Sequence, residues 1–106
     1  MASLVKAHLP YFELLAGVSK KQIKPLMETL NRGQVDAICE VLLNVRYGYL
    51  ELDEEVKKKV KRKKTFICKL TMKGGALKHR RAALVQQATF FHYLLNELLD
   101  TIKKLD

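Results

Sequence analysis

Seven apolar residues towards the C-terminus, Leu84, Ala88, Phe91, Leu95, Leu98, Ile102 and Leu105, alternate four and three positions apart. Only an α-helix gathers that spacing into one stripe; on a strand the same residues scatter over both faces. Phe90, Tyr93, Leu94 and Leu99 widen the stripe beyond a two-position seam, so this helix must meet other helices. Leu77 extends the pattern backward, with Arg81 interrupting it. A single helix over 76–104 measures roughly 40 Å at ~1.5 Å per residue. The fold expected is all-α: one domain over residues 1–106, a small bundle of about four to five helices closed by a long C-terminal amphipathic helix. The stripe is expected to be buried either within the chain or against a second copy in a homodimer.

Helix signals recur upstream. Ser3 is a candidate N-cap for a helix to Ala16, with Gly17 as its stop and Leu4, Ala7, Leu9, Phe12, Leu15 and Ala16 as its apolar side. Pro10 should kink that helix or move its start. Ser19-Lys20-Lys21-Gln22 reads as a capping box, followed by Ile23, Leu26, Met27 and Leu30, with Pro25 interrupting. Asn31-Arg32-Gly33-Gln34 opens a stronger helix that turns Val35, Ile38, Cys39, Leu42, Leu43 and Val45 inward and ends near Arg46, before Gly48. Tyr47-Gly48-Tyr49-Leu50-Glu51-Leu52 reads as an extended connector whose Tyr and Leu side chains plug the core. Asp53-Glu54-Glu55 caps one further helix through Leu70, with Val56, Val60, Ile67 and Leu70 inward and Lys73-Gly74-Gly75 as its stop.

Charge is distributed as unevenly as hydrophobicity. The net charge is +9, yet residues 1–56 hold six basic and eight acidic side chains, and residues 82–106 two and three. Residues 57–81 hold twelve cations and no carboxylate: Lys57, Lys58, Lys59, Lys61, Arg62, Lys63, Lys64, Lys69, Lys73, Lys78, Arg80 and Arg81. Like charges one helical turn apart repel by a few tenths of a kcal/mol per pair. A polyanion relieves that repulsion, and nucleic acid does so with the entropy of counterion release. Nine of the twelve are Lys, a point charge rather than a two-pronged base reader, which favours phosphate contact without sequence reading. The expected partner is therefore nucleic acid, double-stranded DNA in the first place. The same residues suit a nuclear-import signal, or a helix-mediated interaction or scaffold module that binds an acidic partner. The clustered Phe90, Phe91, Tyr93 and Leu94 suit a membrane surface, but residues 82–106 lack the cationic polar face such helices carry.

Chemistry of other kinds has little to stand on. His8, His79 and His92 lack metal-ligand spacing, Ser occurs only at positions 3 and 19, and no carboxylate or thiol is paired with a base, so neither catalysis, metal nor cofactor is expected. Cys39 and Cys68 sit far apart among apolar neighbours and read as free thiols in a reducing compartment. No apolar run approaches the ~20 residues of a membrane span. Met1-Ala2-Ser3-Leu4-Val5-Lys6 does not read as a signal peptide, so the chain is expected to work inside a cell or a particle assembled there.

Three segments, taken together, resemble a known family. They are Gln34-Val35-Asp36-Ala37-Ile38-Cys39-Glu40-Val41-Leu42-Leu43-Asn44-Val45-Arg46-Tyr47-Gly48, the Lys/Arg-rich stretch from Leu50 to Leu70, and Leu77-Lys78-His79-Arg80-Arg81-Ala82-Ala83-Leu84-Val85-Gln86. With them the chain is similar to a small basic protein of Polinton/Maverick elements and the related adintoviruses, integrating double-stranded-DNA virus-like elements of animal genomes. The likeness runs from Leu14 to Leu99, about four fifths of the chain. It implies a virion-associated basic protein, similar in role to the small core proteins that package viral DNA, expected in the host nucleus and the virion interior. A capsid protein is a further partner should the chain act instead as an interaction module. The chain departs from the family at Gln86-Gln87-Ala88-Thr89-Phe90-Phe91, where relatives often carry Gly-Gly-Phe-Leu and an apolar, membrane-active-looking tail.

Overall fold

The computed structural model describes residues 2–71 and 76–104, with side chains from Val5 onward. All regular structure among these residues is helical: α1 (Ala2–Ala7), α2 (Leu9–Gly17), α3 (Lys20–Glu28), α4 (Arg32–Arg46), α5 (Glu54–Arg62), α6 (Lys64–Thr71), α7 (Leu77–Gln86) and α8 (Ala88–Lys103). The all-α class is as expected; the helices are more numerous because three expected long ones are broken. The Lys73-Gly74-Gly75 stop and Leu105 lie outside the described residues.

The best-specified helix sits at the centre. Asn31 Oδ1 accepts the Gln34 backbone N–H at 2.8 Å, and Gln34 Oε1 accepts the Asn31 N–H at 2.9 Å, so both orphan donors at the start of α4 are satisfied. Ser19 and Gln22 make the same reciprocal cap on α3. α4 buries Val35, Ala37, Ile38, Cys39, Val41, Leu42 and Val45, an arc too wide for a surface helix. It packs against α1, α6 and α7. Asn44 is buried with them and donates its amide to the Glu40 carbonyl at 2.7 Å.

Each broken helix has a local cause or a packing cause. Between α1 and α2, His8 leaves helical geometry (φ −105°, ψ 8°) two residues before Pro10, which has no N–H to continue the ladder. α1 already includes Ala2, so Ser3 lies inside it rather than capping it. Lys63 divides α5 from α6 (φ −104°, ψ 17°), its N–H reaching back three residues to the Val60 carbonyl at 3.0 Å. Gln87 divides α7 from α8 with similar dihedrals (φ −109°, ψ 24°), its N–H donating to the Ala83 carbonyl four residues back at 3.1 Å. Neither position carries Gly or Pro. An unbroken helix of roughly 40 Å would overhang a body whose largest extent is 30 Å. The turn at Gln87 lets α7 lie on α3 and α4 while α8 lies on α2 and α3.

Leu84, Ala88, Phe91, Leu95, Leu98 and Ile102 are all buried within the single chain, joined by Phe12, Leu15, Met27, Leu30, Ile38 and Leu42 in one core. Of the two burials open to the seven-residue repeat, the structure has the one inside the chain. Val56, Ile67 and Leu70 are buried as expected, with Val60 half-buried beside them.

Candidate nucleic-acid interface

Most of the cationic block emerges on α5 and α6. Val56 is the one buried side chain of α5, and successive residues at 100° intervals carry the cations around the remaining surface. Lys57, Lys58, Lys61 and Arg62 are exposed on α5, as are Lys64 and Lys69 on α6 and Lys78 on α7. Among the described residues only Lys57 of these seven meets a carboxylate, Glu54 at 3.5 Å, and both partners are too exposed for the pair to matter much.

The half-buried Lys59 and Lys63 face inward. Lys59 Nζ lies 4.0 Å from the centroid of the Tyr93 ring and Lys63 Nζ 6.0 Å from that of Phe90. Phe90 in turn meets Phe66 edge to face at 6.2 Å. Lys59, Lys63, Phe90 and Tyr93, with Arg62 and Lys20, line an open cleft of about 680 Å³ between α5 and α8. A cation over an aromatic face contributes ~0.5–1 kcal/mol at a wet site, so Lys59 and Lys63 help fasten α5 to α8.

Arg80 and Arg81, grouped with the lysines by sequence, do something else here. Arg81 donates through Nε and Nη2 to the Leu30 carbonyl at 2.9 and 2.6 Å. Arg80 reaches Asp36 at 3.5 Å, with its side chain only 17% exposed. Together they tie α7 to the α3–α4 junction and to α4. The cationic block thus comprises seven exposed cations, two stacked lysines and two arginines engaged in tertiary contacts, while Lys73 lies outside the described residues.

The connector after α4 departs from expectation. Leu50 is buried and Leu52 half-buried, but Tyr47 and Tyr49 are 59% and 65% exposed. The cause is the way α4 ends. The Gly48 N–H donates to the Val45 carbonyl and the Tyr49 N–H to the Asn44 carbonyl, while Gly48 takes φ +75°. This pair of reverse bonds closing on a left-handed glycine is a Schellman turn, and it leaves both rings at the surface. Gly48 was the sequence signal for it.

Burial pushes the Cys39 thiol up to about 11, and its Sγ–H donates to the Leu70 carbonyl at 3.5 Å. Cys39 and the half-buried Cys68 are both free. Among the described residues no cluster of His, Cys, Asp and Glu could hold a metal ion, and no helix is long and apolar enough to cross a membrane. No family model, curated protein or solved structure matches the chain.

Proposed function

We propose that this chain is a non-enzymatic nucleic-acid-binding protein whose α5–α6 surface neutralises phosphates without reading sequence, packaging DNA in the particle of a Polinton-like element. One observation carries the reading: seven exposed cations on α5, α6 and the start of α7, with a single weak carboxylate contact among them. Such a surface lacks internal neutralisation, and a polyanion supplies it with release of condensed counterions. The packaging role follows from the resemblance described above.

The test is duplex-DNA affinity as a function of salt. A duplex lying along α5 and α6 reaches about five of these cations, so log K against log salt should have a slope near −4.5, at ~0.9 per phosphate contact. Sequence should matter little. Replacing Lys57, Lys58, Lys61 and Arg62 together with Gln should flatten the slope by roughly one unit per lost contact and leave the helix intact, since Gln, Lys and Arg have similar helix propensity. A flat salt response, or tighter binding to an acidic polypeptide than to DNA, refutes the phosphate reading.

A further inference from the structure

We infer that Tyr47 and Tyr49 form a stacking platform for unpaired nucleobases, so that the protein prefers a single strand to a duplex on this side of α5. The inference rests on the phosphate-binding reading and adds the ligand's class to it.

Two large rings left exposed at a fixed turn call for an account. Their centroids lie 6.3 Å apart, tilted by 54°. The turn that carries both rings is fixed, and Tyr47 is braced by a neighbour. The backbone beneath them is closed by the bonds to Val45 and Asn44. The Arg46 guanidinium carbon lies 5.5 Å from the Tyr47 centroid, and Arg46 Nη1 donates to Thr71 Oγ1 at 3.1 Å. Thr71 is itself anchored, its hydroxyl donating to the Ile67 carbonyl at 2.7 Å. The backbone of the platform and its Tyr47 ring are therefore oriented before any ligand arrives, which lowers the ordering cost of binding.

Charge identifies the occupant. Lys61 and Lys64 share a cleft with Tyr47, and Lys57 and Lys61 share an adjoining one with Tyr49. Lys57, Lys61 and Lys64 recur four and three residues apart, a stripe along one side of α5 and its continuation. Among the described residues the opposing charges are Glu51, which lines the second cleft, and the exposed Glu54, 3.5 Å from Lys57. A row of cations beside exposed aromatic rings matches a backbone with free bases, where phosphates meet the lysines and bases lie on the rings. A duplex keeps its bases stacked on one another and offers the tyrosines nothing.

The experiment compares four probes on the whole chain at fixed low salt: a dT 12-mer, an abasic 12-mer with the same phosphates, a 12-bp duplex and polyglutamate. The dT 12-mer should bind about 5- to 150-fold tighter than the abasic strand for each stacked base. It should also quench tyrosine emission, which is readable because the chain has four Tyr and no Trp. Replacing both rings (Tyr47→Leu, Tyr49→Leu) should bring dT down to the abasic level, whereas Tyr49→Phe keeps the preference. Both positions are exposed, and circular dichroism checks the fold of each variant. Equal affinity for dT and abasic strands, or tighter binding to duplex with no effect of the Leu variants, overturns the platform and leaves phosphate binding standing. Polyglutamate binding as well as dT overturns both.

Discussion

The same substitution at two cations of the basic block should have opposite consequences. Arg81 places two charged donors on the Leu30 carbonyl, at 2.9 and 2.6 Å. Arg81→Met keeps the apolar stem and removes both bonds. Hydrogen bonds from a charged group contribute ~1.5–3 kcal/mol, and an acceptor left without its donor costs ~1–3 kcal/mol. Leu30 is buried and Arg81 half-buried, so water replaces little of the loss and about 2–4 kcal/mol is the expected destabilisation. Against a total of ~5–15 kcal/mol that is a large share, and the melting temperature should fall by about 10–25 °C. Lys61 is exposed, with no carboxylate partner among the described residues, so Lys61→Met should change stability by less than ~0.5 kcal/mol. In DNA binding the order reverses: Lys61→Met should flatten the salt slope by ~0.9, and Arg81→Met should leave it unchanged. Urea unfolding followed by circular dichroism, beside salt titrations of duplex binding, reads both effects. If Arg81→Met is as stable as the parent and loses a unit of slope, Arg81 is a phosphate ligand and the division of the cations is wrong.

Three further outcomes follow from the packing. Phe91→Ala with Leu95→Ala removes two fully buried side chains of α8; at ~2–5 kcal/mol each the double variant should be unfolded at room temperature by circular dichroism. Gly17→Ala adds a Cβ that meets nothing within 4 Å in a helical turn, whereas Gly48→Ala forces a side chain to φ +75°, so calorimetry should show the first raising stability by ~0.5–1 kcal/mol and the second lowering it by ~1–2 kcal/mol. With its thiol pushed up to about 11, Cys39 should resist alkylation at pH 8 while Cys68 reacts. Because the folded form holds that proton more tightly, stability should be full below about pH 9 and fall as pH rises towards 11.

The sequence makes the helical class and the α4 cap legible, because the seven-residue repeat and the Asn31–Gln34 pair act over short distances. The breaks at Lys63 and Gln87 were not legible. Neither residue disfavours a helix, and both turns answer to where α6 and α8 must pack. The cationic count was legible but not its division. The partners of Arg80 and Arg81 lie 44 and 51 residues away in sequence, beyond the reach of any local pattern. Tyr47 and Tyr49 were read as core because they are large and apolar, yet the glycine between them sets the turn that turns both outward.

A helix of nine residues anchored by one buried side chain has a dynamic consequence. α5 draws little from the core, and its own like charges oppose it, so its amides should exchange with solvent through local openings well below the global unfolding free energy. A bound polyanion removes the repulsion and adds contacts made only when the helix is formed. Exchange along residues 57–62 should then slow far more than in α4, whose burial at the centre of the core should let its amides open only with the whole protein. On the proposed function, the element that meets the polyanion would be one that the free protein holds weakly, and binding would complete its folding.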